Sequence, residues 1–493
     1  MVDIKNCLAQ IGVNSPSIKI NNLVLDSREI QVGDAFIAIK GHELDGGKFI
    51  LSALNKGAVL VLADSECQID SDIEPSKIIR IDQLNNKLAK LSASFYDNPS
   101  QKLHLVGVTG TNGKSTISSM IANLIAACEQ STAVIGTLGW GSLDALAPLN
   151  NTTPSSVDLQ HMLSNLQQSQ TDLVAMEVSS HGLSQGRVDE CQFSVSVFSN
   201  LSRDHLDYHG DMANYAAAKL KLFTQYQANL NAFNLDDCVA INWLETHKFK
   251  NTVLFGKGDT PLSKHQYVLF SDVQCTAEGI KAKFITSWDE PDVINEVTCP
   301  LFGEFNLYNL AAAFSVALGL GYPIKHIFKA ANNLKPIAGR MQPFSGLNKP
   351  TCIVDYAHTP EALELALQAL QHHVPGGVTC VFGCGGDRDK GKRALMAKAA
   401  QKYANKIVVT SDNPRTENPD DIINDVLLGF SNKNNVQVEA DRGKAITLAV
   451  SQASKHEVVL VAGKGHEDYQ IIGDKIINFC DRAWVEQLLK GGC

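Results

Sequence analysis

The run Gly110-Thr111-Asn112-Gly113-Lys114-Ser115-Thr116 holds the residue types and spacing that point most directly to chemistry in this chain. Glycines let successive backbone N–H groups turn toward an anion, and a helix N-terminus adds partial positive charge. Lys114 is placed to reach the β/γ-phosphates of a nucleotide, and the Ser115 hydroxyl to hold Mg²⁺. The strict pattern G-x-x-x-x-G-K-[ST] is incomplete, because its first glycine would fall on Val108. The surroundings restore the reading. An apolar strand candidate, Leu103 to Val108, precedes the loop. After it, Ile117, Met120, Ile121, Leu124 and Ile125 recur at helical spacing.

A nucleotide phosphate site also needs a carboxylate for its metal and cations for the transferred phosphate. Glu177 ends the apolar stretch Asp172 to Val178 and is the first metal candidate; His205, past the strand candidate Ser194 to Asn200, is the second. Either residue alone reads as a strand-end cap. Lys219 lies among alanines in the helical stretch Tyr215 to Phe223, where composition alone makes it a helix-surface lysine.

These residues must be positioned by alternating strands and helices. From about 99 to 337 that alternation predicts a largely parallel sheet, with 258 to 300 reading as an antiparallel edge. Gly303 to Asn309 opens an alanine-rich helix. From 338 onward four apolar strand candidates each run into polar or glycine-rich residues: Asp355-Tyr356-Ala357-His358, Gly383 to Arg388, Ser411-Asp412-Asn413-Pro414-Arg415 and Gly463-Lys464-Gly465-His466-Glu467. Ligands in open α/β sheets bind at such strand ends. The predicted fold is α/β with three domains. Residues 1–98 form an N-terminal domain, 99–337 a central P-loop-like ATPase domain, and 338–493 a Rossmann-like C-terminal domain. Phe95 to Ser100 reads as the first linker.

Composition narrows the class. A formal net charge of -9 argues against a chain built to coat nucleic acid or anionic membrane. No apolar run reaches the roughly 18 residues of a membrane span, and the N-terminus lacks a signal-peptide layout. A cytoplasmic, monomeric protein is expected. Twelve scattered cysteines without a Cys-x-x-Cys pair read as free thiols, and Cys380 with Cys384 does not make a metal site.

In order along the chain stand the 110–116 loop, Glu177-Val178-Ser179-Ser180-His181-Gly182-Leu183, Asp204-His205-Leu206-Asp207-Tyr208-His209-Gly210, Gly339-Arg340-Met341-Gln342, Asp355-Tyr356-Ala357-His358-Thr359-Pro360 and Asp412-Asn413-Pro414-Arg415. This succession resembles the Mur ligases, and its last motif their diaminopimelate-adding members. The resemblance spans Leu25 to Arg482. It implies an ATP-dependent amide ligase of peptidoglycan synthesis. Such a ligase phosphorylates the D-glutamate carboxylate of UDP-N-acetylmuramoyl-L-alanyl-D-glutamate, and an amino group of meso-diaminopimelate then attacks the acyl phosphate.

By position, the resemblance assigns catalysis to Lys114, Glu177, His205, Lys219 and Arg340. Ser115, Glu177, His205 and Lys219 become Mg²⁺ ligands, Lys219 as its N6-carboxy (carbamate) form. ATP contacts fall to Gly110, Thr111, Asn112, Gly113, Lys114, Ser115, Thr116, Asn306, Asn309, Asp355 and His358. Leu25, Ser27, His42, Glu43 and Leu44 match the uridine end. Asn151, Thr152, Thr153, Ser179, Gln185 and Arg187 match the sugar-peptide end. Arg388, Asp412, Asn413, Pro414, Arg415, Gly463 and Glu467 match the diaminopimelate pocket, where Arg415 pairs a carboxylate and Glu467 takes the ammonium. Read alone, Asn413-Pro414-Arg415 is a turn with a solvated arginine. The alternatives are a relative that adds L-lysine, or a nucleotide-binding scaffold without turnover.

The departures from the family pattern are small. Ser115-Thr116 stands where relatives often have Thr-Thr, Trp140 where a small polar residue is common, and Ala338 where proline is usual.

Overall fold

The computed structural model describes residues 1–41, 44–276, 278–290, 293–373 and 376–490. It divides into two compact units: Met1–Leu254 with Ser315–Gly321, and Phe255–Phe314 with Tyr322–Cys493.

The first unit opens with a parallel sheet in the order β1 (Leu23–Val24), β2 (Ala35–Ala38), β3 (Leu60–Asp64), β4 (Ile78–Ile81). Every residue of β2 and β3 is buried, as a parallel strand covered on both faces requires. Helix α1 (Leu84–Phe95) packs Leu84, Leu88, Leu91 and Phe95 onto this sheet's core. The stretch 95–100 is not an open linker. Phe95, Pro99 and Ser100 are buried, Asp97 and Asn98 take left-handed φ values of 61° and 48°, and Ser100 Oγ accepts from Gln192 N. Asp, Asn, Pro and Ser serve a packed turn there, a use that composition does not separate from a linker.

The second sheet of this unit contains β5 (His104–Thr109), β6 (Thr132–Gly136), β7 (Gly139–Gly141), β8 (Leu173–Glu177), β9 (Val195–Phe198) and β10 (Leu230–Asn234). Their spatial order is β10-β9-β5-β8-β6-β7, parallel except for the β6–β7 pair. Between β5 and β6 runs α2 (Lys114–Ala126), whose Ile117, Met120, Ile121, Leu124 and Ile125 are at most 1% exposed. Burying each such side chain is worth about 1.5–3 kcal/mol, which fixes the helix and so the loop at its N-terminus. Helix α3 (Ser156–Gln168) covers the other side, and the short α4 (Ser180–Ser184) follows β8. Helix α5 (Met212–Thr224) is capped by the Asp211 carboxylate on Asn214 N and buries Tyr215, Ala218, Lys219, Leu222 and Phe223. Lys219 is therefore on the inward stripe at 1% exposed, not on the helix surface.

In the second unit an antiparallel meander, β11 (Gln266–Thr276), β12 (Gly279–Thr286) and β13 (Asn295–Cys299), matches the edge expected for 258–300. The alanine-rich α6 (Phe305–Gly319) follows it.

The last sheet runs β14 (Gln342–Phe344), β15 (Thr351–Asp355), β19 (Val458–Ala462), β16 (Val378–Phe382), β17 (Lys406–Val409), β18 (Val436–Val438), parallel apart from the β14 edge. Helices α7 (Pro360–Gln371), α8 (Gly391–Tyr403) and α9 (Pro419–Leu427) cover one face. On the other face lie α10 (Arg442–Gln452) and α11 (Asp481–Lys490). A hairpin of β20 (Tyr469–Ile472) and β21 (Lys475–Asn478) stands beside the sheet. Because β15, β16, β17 and β19 are parallel, the turns that end them share one sheet edge.

Candidate active site

The 110–116 loop leaves β5 and enters α2 with Gly113 at the N-cap, φ 87°. Only glycine holds that left-handed geometry without strain. The Lys114 ammonium lies back over the loop, donating to Gly110 O at 2.9 Å and Thr111 O at 2.8 Å. Lys219 Nζ donates to the same Gly110 oxygen at 2.8 Å and sits 4.5 Å from the Tyr215 ring centroid. Two lysines thus converge on one carbonyl. Burial, and next the charge of Lys114, hold the Lys219 amine well below its ordinary pKa. Thr111, Asn112 and the β9 end are bound together: Asn112 N donates to Asn200 Oδ1 at 3.0 Å, and Ser199 Oγ donates to Asn112 O at 2.7 Å. Ser115 and Thr116, in the first turn of α2, are buried.

Glu177, at the end of β8, is 3% exposed and fixed by one neighbouring residue. Thr137 N donates to Oε1 at 2.7 Å and Thr137 Oγ1 to Oε2 at 3.2 Å. Thr137 continues to Thr152 through hydroxyls 3.0 Å apart. From there the sugar-peptide candidates form one connected network. Thr153 Oγ1 donates to Glu177 O at 2.9 Å, Ser179 N donates to Thr153 Oγ1 at 2.9 Å, and Arg187 Nη1 donates to Thr153 O at 2.7 Å. Arg187 Nε reaches Gln185 Oε1 at 2.9 Å, and Gln185 Nε2 reaches the Tyr208 hydroxyl at 3.3 Å. Asn151 is exposed at the start of this segment.

His205 stands apart from that network. It takes φ 53°, is half exposed, and its Nε2 is 3.4 Å from Asp204 Oδ2. Its ring lies edge-on to His181, centroids 5.0 Å apart. No three His, Cys, Asp or Glu groups among the described residues cluster tightly enough to cage a metal. One buried carboxylate, Glu177, still fits Mg²⁺, which keeps waters and substrate phosphates as most of its ligands.

Of the uridine-end candidates, Leu25 is half-buried against the N-terminal core, Ser27 is buried and Leu44 is exposed; His42 and Glu43 lie outside the described residues.

In the second unit, Asn306 and Asn309 open α6, both buried. Asn309 Nδ2 donates to Asn306 Oδ1 at 2.9 Å, and Asn306 Nδ2 to Phe302 O at 2.7 Å. Arg340 lies over the Tyr356 ring, 4.6 Å from its centroid. Asp355 accepts from Met341 N at 2.7 Å and Ala357 N at 3.0 Å, so it ties the Arg340 turn to the end of β15; burial raises its carboxyl pKa. His358 is exposed beside them, its Nδ1 2.8 Å from Tyr356 O.

The amino-acid pocket candidates come together at the ends of β16, β17 and β19. Arg388 is exposed, and Arg415, half-buried at φ 52°, donates Nη1 to Gly386 O at 2.8 Å. Asp412, Asn413 and Pro414 are buried, and Gly463 takes φ 115° against the Asp412 carboxylate. Asn413 is spent inside the protein. Its Oδ1 accepts from Ile471 N at 3.0 Å and its Nδ2 donates to Glu467 Oε2 at 3.0 Å.

The sequence reading gave no role to Lys464, which is fully buried and donates to that same Glu467 oxygen at 3.1 Å. It also passed over Arg442, whose wholly buried guanidinium pairs with Asp481 at 2.7 Å and donates to Ala462 O at 2.9 Å, behind the pocket. Thr137 and Arg393 were missed as well. Lys464 falls within a run the sequence reading had quoted, but nothing in its spacing marks it as inward-facing. The Cys380 and Cys384 thiols are free and buried, as expected.

Successive segments of the chain match family models: residues 19–96 the Mur ligase family catalytic domain, 108–317 the Mur ligase middle domain, and 339–465 the Mur ligase glutamate ligase domain. The chain belongs to the Mur ligase family. It is 43% identical over 477 residues, 96% of this chain and 97% of the relative, to a UDP-N-acetylmuramoyl-L-alanyl-D-glutamate–2,6-diaminopimelate ligase of Haemophilus influenzae strain Rd. A second such ligase, from strain PittEE, is 42% identical over 478 residues, with the same shares covered. A solved structure of a ligase with that name superposes at TM-score 0.68 and 33% identity, covering 99% of both chains. A MurF ligase from Thermotoga maritima in complex with ADP shares the fold at TM-score 0.67 and 20% identity, covering 92% of this chain and 96% of its own. This Mur ligase has no helix among its described residues long and apolar enough to cross a membrane.

Proposed function

We propose that this Mur ligase uses ATP to join meso-diaminopimelate to the D-glutamyl carboxylate of UDP-N-acetylmuramoyl-L-alanyl-D-glutamate in peptidoglycan synthesis. The observation that carries this reading is the near full-length 43% identity to ligases named for that reaction. Arg388, Arg415, the buried Asp412 and the partly exposed Glu467 at the ends of β16, β17 and β19 support it.

In this reading the 110–116 loop holds the triphosphate, and Lys114 leaves the Gly110 and Thr111 carbonyls to neutralise the phosphates. A D-glutamyl oxygen attacks the γ-phosphorus, ADP departs, and an acyl phosphate forms. The amine nitrogen then attacks the acyl carbon, and inorganic phosphate leaves with the former carboxylate oxygen as the nitrogen loses a proton. Arg340 is assigned the cation that offsets the charge growing on the transferred phosphoryl oxygens. Ser115, Glu177, His205 and a carbamylated Lys219 would hold Mg²⁺, which supplies Lewis-acid polarisation of the phosphoryl group. The depressed amine of Lys219 supports the carbamate.

The Thr152, Thr153, Ser179, Gln185 and Arg187 network receives the sugar-peptide end, and Leu25, Ser27 and Leu44 the uridine end. Arg388 and Arg415 take the distal carboxylate of diaminopimelate, a group lysine lacks. Glu467 takes the neighbouring ammonium through Oε1, its Oε2 being occupied by Asn413 and Lys464. The enzyme works as a cytoplasmic monomer with domain limits near 98 and 337.

Phosphate release with an amino-acid panel tests the reading. Turnover is expected to require ATP, the nucleotide dipeptide and meso-diaminopimelate together. Equal turnover with L-lysine or L-glutamate overturns it.

A further inference from the structure

Arg388 and Arg415 sit on separate turns, 383–388 after β16 and 410–417 after β17. Strand pairing fixes where these turns begin, up to Phe382 and Val409, but not where their far ends lie. A reciprocal set of hydrogen bonds does that. Gly386 N donates to Asn413 O at 2.9 Å. Thr416 gives its amide to one Asp387 carboxylate oxygen at 3.1 Å and its hydroxyl to the other at 2.8 Å. In return Asp387 N donates to Glu417 Oε1 at 2.6 Å.

Glu417 is held from below by Arg393. That guanidinium, 1% exposed, donates Nη2 to Glu417 Oε1 at 2.8 Å and Nη1 to Asp425 Oδ2 at 2.8 Å. Lys390 Nζ is 3.3 Å from Glu417 Oε2. The turns also touch where no side chain fits. A Cβ on Gly386 would overlap the Pro414 carbonyl oxygen. A Cβ on Gly385 would lie 2.9 Å from Arg415 Nη1 and 3.9 Å from Arg388 Cγ, so the two arginines flank that glycine.

We propose that Glu417 is a positioning and specificity-determining residue for the amino-acid substrate, latching the two turns so that Arg388 and Arg415 face a substrate carboxylate as a preassembled pair. This rests on the diaminopimelate reading above. Preassembly pays the ordering cost of the pair before binding. It also sharpens rejection of lysine, because rigidly held guanidiniums that meet no carboxylate cannot relax to other partners. Without Glu417 the buried Arg393 loses one of its two carboxylate partners and the Asp387 amide loses its acceptor.

Steady-state kinetics on the full chain with meso-diaminopimelate and L-lysine test this. Glu417→Ala is expected to raise KM for meso-diaminopimelate about tenfold. Its kcat should stay within about threefold, and KM for ATP and for the nucleotide dipeptide should not move. The preference for diaminopimelate over lysine should fall by a similar factor, and Glu417→Gln, which keeps an acceptor, should recover part of it. Asp387→Ala cuts the other half of the latch and should give the same pattern; it decides alone if Glu417→Ala does not fold. A well-folded variant with unchanged KM and preference overturns the proposal. So does a uniform loss across all three substrates, which marks a merely structural role. A wild-type enzyme that ignores meso-diaminopimelate would instead overturn the amino-acid reading beneath it.

Discussion

The phosphate loop and the amino-acid pocket handle charge in opposite ways. At the loop, Lys114 and Lys219 rest on backbone carbonyls and both lean on Gly110 O. Among the described residues no carboxylate pairs with Lys219 there, and its amine gives up its proton easily. In the pocket the buried cations are matched by protein anions: Arg393 by Glu417 and Asp425, Arg442 by Asp481, Lys464 by Glu467. The difference separates a loop whose described lysine contacts are backbone carbonyls from a pocket whose buried cations already meet protein anions. A triphosphate brings enough negative charge to pull a lysine off two carbonyls. A single distal carboxylate does not, so its arginines must already be in place.

The largest effects are expected at the loop. Lys114→Ala should cut kcat by about 10²–10³-fold, the cost of losing one charge aimed at the transition state. Lys219→Ala should do the same, and short-chain carboxylic acids should restore part of its activity in a phosphate-release assay. Full activity in plain Lys219→Ala would remove the carbamate from the account.

Next comes Arg415→Ala. It should raise KM for meso-diaminopimelate by about 10–100-fold, from the loss of charged hydrogen bonds, while KM for ATP holds. An equal rise in both would erase the contrast between the two regions. Smaller again is Gly386→Ala, whose methyl meets the Pro414 carbonyl. It should cost about 2 kcal/mol of stability by denaturant titration, the usual penalty of overpacking against backbone.

The smallest effect is in pH. The Arg393 hydrogen bond, the Asp387 amide and Lys390 hold the Glu417 carboxyl down to about 2. A carboxyl depressed in the folded state contributes stability above its unfolded pKa, about 4.3, and loses it as pH falls toward the folded value. The Tm gap between wild type and Glu417→Ala should be full at neutral pH and should shrink below about pH 4. A gap independent of pH would mean the latch does not work through charge.

Most of the scaffold was legible because its elements follow local pattern. Val458–Ala462 is an unbroken apolar run, Val378–Phe382 is interrupted only by Thr379, and the α2 stripe has a clean helical period. The strand–turn–helix layout around 110–116 was legible because glycines mark the turn between an apolar strand and a helix-period stripe. Lys219 was misjudged on composition. The alanines around it hide an inward stripe that only Tyr215, Leu222 and Phe223 mark, and a buried lysine contradicts hydropathy. The packing of the 95–100 connection was not legible for the related reason that turn residues look alike whether packed or free. Arg393 and Arg442 left no trace because a buried ion pair joins residues far apart in sequence, such as Arg442 with Asp481, and no period connects them. Thr137, which fixes Glu177 from 40 positions away, is the same case.

A crystal structure with a non-hydrolysable ATP analogue and Mg²⁺ tests the central contrast most directly. The account predicts that Lys114 Nζ has left the Gly110 and Thr111 carbonyls for the β/γ-phosphates, while Arg388, Arg415 and the Asp387–Glu417 latch hold their present contacts. A nucleotide bound away from the 110–116 loop, or a Lys114 still seated on its own carbonyls beside a bound triphosphate, would contradict it.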